Sequence, residues 1–219
     1  MREGVARFFV TGFGPFLPDA PTNPTQALVE RLADAEGTSS SYSIEACEIV
    51  EVDIERAKCA VKELDARVRD RARTEAKSTS VFIHFGVHST LRGYRLERVA
   101  WNECSFRIPD AAGRKPQGET ICAADGGLEA CLRTVIPVEE VVDRLQNLGH
   151  PCEASDDAGR YLCNFIYYGS LKASAQVTSD RVSDCASLFV HVPPFSVIDE
   201  SSQCAFVQDL LRVVAELYA

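Results

Sequence analysis

Long apolar runs are missing from this sequence. No stretch approaches about 18 uninterrupted apolar residues, the length that a membrane-spanning helix needs. The N-terminal segment MREGVARFFVTGF turns into a strand-like run too early for a signal peptide. We therefore expect a soluble, intracellular protein that is cytoplasmic and does not use a membrane as a partner.

Basic residues are too few to balance the acidic ones. The chain has 23 Lys and Arg against 32 Asp and Glu, for a formal net charge of -9 and a pI near 5.0. Nucleic acids and anionic membranes are bound through a basic face that displaces their counterions. The charge therefore argues against both as main partners and favours a small or peptide substrate.

Paired cysteines are also missing. Nine cysteines are scattered along the chain without any C-x-x-C pair, and their number is odd. This pattern is poor for a disulfide framework or a zinc site. Most of these thiols are expected to be small core residues, so a reactive cysteine needs support from its surroundings.

What the sequence does contain is an alternation of strand-like and helix-like segments. The apolar run ARFFVTGF is followed by a segment with Pro24 near a helix start and with Leu28 and Leu32 four residues apart. The alternation continues to the C-terminus, with strands predicted at SIEACEIVEV, TSVFIHFG and ASLFVHVPP and helices predicted from Asp53, at PVEEVVDRLQNLG and at SSQCAFVQDLLRVVAELYA.

This order of segments predicts a three-layer α/β domain around a largely parallel sheet. A length of 219 residues with 46% hydrophobic composition fits one domain over residues 1–219. The least regular part, from Arg92 to Val135, is rich in Gly, Pro and polar residues. We expect loops or a β-hairpin there, bordering the site.

Ligands of open α/β sheets bind beyond the carboxyl ends of the strands. At three such ends this sequence has TGFGPF, GVHS and HVPP. They supply glycine-permitted turns, two phenylalanines and a histidine. We therefore expect the functional site at this edge of the sheet.

A nucleotide or metal site is a weaker interpretation of these segments. Leu17 stands where a dinucleotide loop has its third glycine, and Pro15 removes a backbone N–H that such a loop offers to phosphate. No G-x-x-x-x-G-K-[ST] occurs, and the caspase and papain signatures are missing. His84 and His88 flank a strand end rather than a helix, which makes a metal improbable and His84 a core histidine.

Cys163 and His191 are the remaining candidate pair. Asp156, Asp157 and Gly159 indicate a helix start between 155 and 159, so that Cys163 lies within about one turn of it and gains from the unpaired N–H groups there. A histidine at the end of a buried strand can act beside it as base and then as acid. From the residues alone, a cysteine/histidine hydrolase and a structural thiol both remain open.

Five separated motifs carry a family resemblance through nearly the whole chain. They are TGFGPF with NPT behind it, HFGV, ERVAWN followed by RIPD, DAGRYLCN, and FVHVPP. In these segments the sequence resembles pyroglutamyl peptidase type I, also called pyrrolidone-carboxylate peptidase, a family of cysteine peptidases that remove an N-terminal pyroglutamate from peptides. The resemblance implies a phosphorylase/hydrolase-like α/β/α sandwich with a mixed sheet, and no cofactor or metal.

The resemblance also implies the catalytic residues. The nucleophile of the family lies in YLCN, the histidine in FVHVP, and the third member is the glutamate that opens ERVAWN. Carried over to this sequence, they are Cys163, His191 and Glu97. A Cys-His-Glu mechanism of amide hydrolysis is the expectation that follows.

Candidate substrate-binding residues come from the neighbouring motifs. Pyroglutamate is a compact, uncharged lactam, which requires apolar or aromatic walls and a few backbone groups. Phe13 and Phe16 are candidates for these walls, and core packing is the alternative interpretation of both. Asn23 is a candidate to hold the loop after the first strand through side-chain to backbone hydrogen bonds, and helix capping is its alternative. Arg107 is placed to bind the developing oxyanion, or to pair with Asp110.

One segment departs from the bacterial pattern of the family. Many bacterial members have Gly-Gln after the third strand, whereas this chain has GVHS, so any contact from Val87 to substrate must come from its backbone. GVHS is closer to the animal members, whereas ERVAWN and RIPD look bacterial. This combination leaves a homo-oligomeric state open, because bacterial and archaeal members often associate and animal members tend to be monomeric. Two other functions also stay open: a nucleoside phosphorylase-like enzyme and an inactive module that binds pyroglutamyl peptides.

Overall fold

The computed structural model of the chain describes residues 5–16, 22–34, 38–39, 41–71 and 79–218. Leu17, used above against a dinucleotide loop, lies outside these ranges. Within them, no helix is both long and apolar enough to cross a membrane.

Nine strands and five α-helices are formed by the described residues. The strands are β1 (Ala6–Phe13), β2 (Thr38–Ser39), β3 (Tyr42–Val50), β4 (Thr79–Val87), β5 (Tyr94–Glu97), β6 (Val99–Trp101), β7 (Cys131–Arg133), β8 (Cys152–Ser155) and β9 (Asp184–Val192). The helices are α1 (Pro24–Asp34), α2 (Ile54–Arg71), α3 (Val138–Asn147), α4 (Leu162–Ser179) and α5 (Glu200–Ala215), with one 3-10 turn at Ala123–Asp125.

The main sheet has seven strands in the order β2-β3-β1-β4-β9-β5-β8. Strands β3, β1, β4 and β9 run parallel, and β5 pairs antiparallel with β9 and parallel with β8. Strand β2 is antiparallel to β3 at the opposite edge. The predicted mixed, largely parallel sheet is confirmed.

Helices cover both faces of this sheet because successive residues of each central strand are apolar and point to opposite faces. Phe8 of β1 and Leu188 of β9 pack in one core with α1, α3 and α5. Phe9 of β1 and Phe82 of β4 point the other way, into a second core with α2 and α4. A strand that is buried on both faces reads as a continuous apolar run, as TSVFIHFG does. The three-layer α/β/α architecture follows.

The irregular region between 92 and 135 holds more sheet than a hairpin alone. Strands β6 and β7 form a separate antiparallel pair, which residues 102–130 connect in place of the tight turn of a β-hairpin. Strand β5, however, joins the main sheet between β9 and β8. It was not anticipated because YRLE is short and has no apolar run.

The predicted start of helix α4 at 155–159 is wrong. Ser155 still belongs to strand β8, and its carbonyl accepts the N–H of Arg98 at 2.7 Å. Gly159 has a φ of +78°, and Tyr161 is extended and forms the N-cap, so that the helix begins at Leu162. Cys163 is therefore the second residue of α4, closer to its N-terminus than expected.

Gly12 and Gly14 make a matched test of how closely α1 lies against β1. A Cβ at Gly12 would be 2.5 Å from the Thr25 carbonyl oxygen, whereas a Cβ at Gly14 would meet nothing nearer than the Ile49 Cγ2 atom at 3.5 Å. We expect Gly12→Ala to lower the free energy of unfolding by about 1–3 kcal/mol, because backbone must shift. Gly14→Ala should change it by under about 0.5 kcal/mol in the same urea titration. Equal effects of the two substitutions would contradict the close approach of α1.

Candidate active site

His191 reaches the site because of the alternation along β9. Leu188, Val190 and Val192 face the core shared with α1, α3 and α5. Phe189 and His191 point to the opposite face, where α4 lies. His191 is 4% exposed and is the last residue but one of the strand.

Glu97 is brought beside His191 by the antiparallel strand β5. In the register of β5 with β9, Glu97 pairs with Phe189 and Arg95 pairs with His191. The Glu97 carboxylate is fully buried, and its Oε1 atom lies 2.8 Å from His191 Nδ1. The main chain at this point is held as well, because the Tyr167 hydroxyl donates to the Glu97 carbonyl at 2.7 Å.

Cys163 approaches the same ring from the N-terminus of α4. Its side chain is close enough to His191 to raise the pKa of the ring. Since Nδ1 is taken by Glu97, Nε2 is the nitrogen left for sulfur. The first turn of α4 contains no acidic residue, and its N–H groups carry the partial positive charge of a helix N-terminus.

Gly86 leaves the space that the sulfur atom occupies. A Cβ at this position of β4 would lie 2.9 Å from Cys163 Sγ and 2.7 Å from Phe189 Cζ. Because both distances are shorter than an ordinary van der Waals contact, a side chain here would displace the thiol or the ring. The HFGV motif therefore needs glycine at this position for steric reasons.

The surroundings of His191 favour its charged form. Burial lowers the pKa of the ring, but the hydrogen bonds and charges of Cys163 and Glu97 raise it by more, to about 9. The imidazolium is therefore held between two groups that are negative when ionised. This arrangement places a proton donor beside the sulfur atom of Cys163 at neutral pH.

A pocket of about 830 Å³ opens beside Cys163 and His191. Of the predicted substrate-binding residues, Val87 and Arg107 line it. The other lining residues are His88, Arg95, Ser105, Ile108, Asp157, Ala158, Gly159, Arg160 and Tyr161. The sequence does not predict most of them as pocket residues, because they lie in loops and on the short strand β5, where the sequence has no periodic pattern.

Phe13, Phe16 and Asn23 are not among the residues that line this pocket. Phe13 is 6% exposed and packs in the core with α2 and α4. The Phe16 ring lies behind the pocket wall, with its centroid 5.8 Å from that of Tyr161. Both rings pack in the core with α2 and α4, and their part in substrate binding stays a prediction.

Asn23 combines the two roles considered for it. Its Nδ2 donates to the Gly14 carbonyl at 3.1 Å, and its Oδ1 accepts the Thr25 N–H at 3.0 Å. The carbonyl of Asn23 accepts the N–H of Gln26 at 3.0 Å. The side chain thus begins α1 and fixes the turn after β1.

Arg107 is exposed on the pocket wall and does not pair with Asp110. The Asp110 carboxylate instead accepts the backbone N–H groups of Ile54, Ala112 and Arg114, at 3.2, 3.0 and 2.8 Å. The suggested pairing is therefore wrong, since Asp110 is used to fix its own turn to the start of α2.

His84 and the other thiols are separate from this chemistry. His84 is fully buried between Thr11 and Ser170, at 2.7 and 2.8 Å, and burial lowers its pKa to about 3. Burial raises the pKa of Cys104 and of Cys185 to about 12. The described residues contain no group of three or more His, Cys, Asp or Glu side chains placed to hold a metal ion.

A thiol at a helix N-terminus, an imidazole beside it and a carboxylate that orients the imidazole are the parts of a thiol hydrolase. Comparison with known families agrees with that class. The profile of the Pyroglutamyl peptidase family matches residues 6–214, nearly the whole chain. The chain belongs to this family, and the resemblance seen in the five motifs is confirmed.

Individual relatives are similar over most of their length. The pyrrolidone-carboxylate peptidase of Pyrococcus furiosus is 29% identical over 196 residues, covering 89% of this chain and 85% of that protein. Pyrrolidone-carboxylate peptidase 1 of Ralstonia nicotianae is 33% identical over 184 residues, covering 84% and 76%. The similarity therefore extends across the regions that carry Glu97, Cys163 and His191.

Solved structures support the fold. The pyrrolidone carboxyl peptidase of Fervidobacterium islandicum has a TM-score of 0.79 at 24% identity, covering 97% of this chain and 99% of that one. The pyrrolidone carboxyl peptidase of Thermococcus litoralis has a TM-score of 0.76 at 24% identity, covering 96% and 93%. At this level of identity the likeness concerns architecture.

The raised pKa of His191 can be measured by NMR of the four histidine rings. We expect His191 to titrate with a midpoint near pH 9, and Cys163→Ala to lower that midpoint, because it removes the first of the groups that raise the pKa. A ring whose pKa is raised on folding stabilises the protein below its unfolded value near 6.5, and this contribution is lost as pH rises through about 9. His84 is the internal control and should stay neutral from pH 5 to 10. A His191 midpoint near 6.5 in the unmodified protein would contradict the arrangement.

Proposed function

We propose that this chain is a cysteine peptidase that hydrolyses the amide bond after an N-terminal pyroglutamate and releases 5-oxoproline. Cys163 is the nucleophile, His191 the general base and acid, and Glu97 the residue that orients His191. The observation that carries the proposal is the buried contact of His191 with Glu97, together with the position of Cys163 beside the same ring in one pocket. Membership of the pyroglutamyl peptidase family supports the substrate class.

The first half of the reaction forms a thioester. The Cys163 thiolate attacks the carbonyl carbon of pyroglutamate, and the new S–C bond pushes the π electrons onto the carbonyl oxygen. First-turn N–H groups of α4 are the donors nearest to that oxyanion. When the oxyanion collapses, the C–N bond breaks, and the imidazolium of His191 gives its proton to the leaving amine.

The second half of the reaction returns the enzyme to its starting state. Neutral His191 takes a proton from water, which attacks the thioester carbonyl. Collapse of this second tetrahedral intermediate breaks the S–C bond, and 5-oxoproline leaves as the free acid. Glu97 keeps its contact with Nδ1 throughout and holds the ring so that Nε2 faces the reacting atoms.

The pocket suits a small neutral lactam at the nucleophile. Tyr161 and Ile108 supply an aromatic and an apolar wall, and Val87 adds the end of strand β4. The Val87 contact is through backbone, in keeping with GVHS in place of Gly-Gln. Phe16 supports the site from behind, through its packing on Tyr161.

The remaining parts of the proposal concern the whole chain. Residues 1–219 act as one catalytic domain, and its partners are peptides that begin with pyroglutamate. We place the protein in the cytoplasm, because a thiolate nucleophile is lost when it is oxidised and a reducing compartment protects it. The proposed steps use no cofactor.

Substrate choice is tested with three aminocoumarin amides, of pyroglutamate, proline and glutamine. We expect appreciable cleavage of the pyroglutamyl compound alone, because proline leaves the site's lactam partners unpaired and each such buried group costs about 1–3 kcal/mol. Cys163→Ala should abolish cleavage while the circular dichroism spectrum is kept. Equal rates on the prolyl amide would refute the specificity. Binding of pyroglutamyl peptide without release would indicate the inactive module, and phosphate-dependent cleavage of nucleosides the phosphorylase-like enzyme.

Glu97→Gln tests the third member of the triad. The substitution keeps the size of the side chain and removes its charge, so kcat should fall by roughly 10 to 10⁴ while KM changes little, since the lost interaction matters most once the imidazolium is present. Glu140→Gln, on the exposed side of α3, is the control and should retain wild-type kinetics. Glu103 would be a poor control, because it holds Arg160 of the pocket at 2.9 Å. Wild-type kcat/KM in Glu97→Gln would reduce the triad to a dyad.

A further inference from the structure

Charged side chains are unevenly matched around the pocket. Its lining contains Arg95, Arg107 and Arg160 but a single carboxylate, that of Asp157. The histidines of the lining are His88 and His191. Which of the three guanidinium groups already has a partner therefore decides what the pocket can bind.

Two of the arginines are compensated within the protein. Arg95 lies 2.7 Å from the Glu153 carboxylate. Arg160 lies 2.9 Å from Glu103 and 2.7 Å from Asp157, and its guanidinium also stands 5.2 Å from the centre of the Trp101 ring. Both groups are thus held in place and locally neutralised.

Arg107 carries the third guanidinium group of the pocket, which has no carboxylate partner among the described residues. It is exposed, and it forms no ion pair with any residue that the structure describes. Its neighbour Asp110, which would be the nearest choice in sequence, is occupied by three backbone N–H groups. An unpaired guanidinium in a substrate pocket presents a fork of donors that matches a carboxylate.

Arg107 is also close to the reacting groups. Burial is the main cause of the lowered pKa of His88, and the positive charges of His191, Arg95 and Arg107 add to it. The His88 ring centroid is 5.6 Å from that of His191. Arg107 therefore lies near the part of the substrate that follows the scissile bond or near the bond itself.

Two features favour a contact of Arg107 with the part of the substrate that follows the scissile bond. The pocket volume of about 830 Å³ is larger than one lactam ring needs, so it has room for the next residue. The developing oxyanion, in turn, already has donors in the first turn of α4, which carries the nucleophile. Arg107 at the exposed wall is then free to bind the leaving part of the peptide.

We propose that Arg107 binds a carboxylate carried by the residue that follows pyroglutamate. This inference rests on the proposed function and deepens it by naming the preferred substrates. They are pyroglutamyl peptides with either an acidic side chain or a free C-terminal carboxylate at that position. An exposed ion pair of this kind discriminates modestly and is weakened by salt.

Two matched pairs of peptides separate the sources of the carboxylate. Pyroglutamyl-Asp-amide is compared with pyroglutamyl-Asn-amide, and pyroglutamyl-Ala with pyroglutamyl-Ala-amide. We expect kcat/KM to be about 5-fold higher for the charged member of at least one pair at low ionic strength, and the ratio to shrink in about 0.5 M salt. The pair that shows the preference identifies the side chain or the terminus as the ligand.

Variants of Arg107 assign the preference to this side chain. Arg107→Gln should bring the ratio close to one because kcat/KM falls more for the charged member of the pair than for the neutral member, and Arg107→Lys should retain part of the preference. Arg92→Gln, an exposed arginine outside the pocket, is the matched control and should keep the full ratio. Melting temperatures of the three variants verify that each is folded.

Several outcomes would overturn the proposal. Equal kcat/KM within both peptide pairs would show that the pocket does not recognise a carboxylate. A uniform fall of kcat on all four peptides in Arg107→Gln would assign Arg107 to the oxyanion instead. Failure of the unmodified protein to release pyroglutamate from any peptide would refute the proposed function itself, and this inference with it.

Discussion

The buried contact between His191 and Glu97 is the interaction on which the site depends. It joins the last strand of the parallel series to the antiparallel strand beside it, at a point where both side chains are almost fully removed from solvent. A buried charge without a partner costs several kcal/mol, so neither group is stable there alone. The architecture has to supply both together, and the insertion of β5 between β9 and β8 does so. The antiparallel direction of β5 beside β9 thus brings Glu97 to His191.

The helix that carries Cys163 is fixed to the same corner by polar contacts rather than by apolar packing alone. Asn164 is buried, donates to the carbonyls of Trp101 and Glu103, and accepts the Trp101 N–H at 2.8 Å. Arg98, the residue after Glu97, makes a two-pronged contact with Asp156 at 3.0 and 2.6 Å, ahead of the helix. Cys163 and Glu97, the proposed nucleophile and the proposed orienting carboxylate, are therefore positioned by adjacent residues of two segments that are bonded to each other.

The sequence predicts the layers of this fold well and its active-site corner less well. Runs such as TSVFIHFG and ASLFVHVPP identify the central strands because burial on both faces leaves a continuous apolar signal. Strand β5 has four residues and carries Arg95 and Glu97, so nothing in its composition marks it as sheet. Its place depends on pairing with β9 and β8, which are distant in the chain. For the same reason Glu97 was reached through a family resemblance, and the loop residues of the pocket wall, such as Arg160, were missed.

The distribution of the nine thiols explains why a cysteine-rich chain can use one of them. Burial raises the pKa of Cys47 and Cys152 to about 11, which leaves them protonated at neutral pH. Cys59 and Cys131 are exposed to solvent, but no hydrogen bond joins either thiol to a histidine within the described residues. Cys163 alone combines partial exposure, a helix N-terminus and the His191 ring. Since a reactive cysteine needs both access and a neighbouring group that can take its proton, the proposed chemistry lies where β9, β5 and α4 meet.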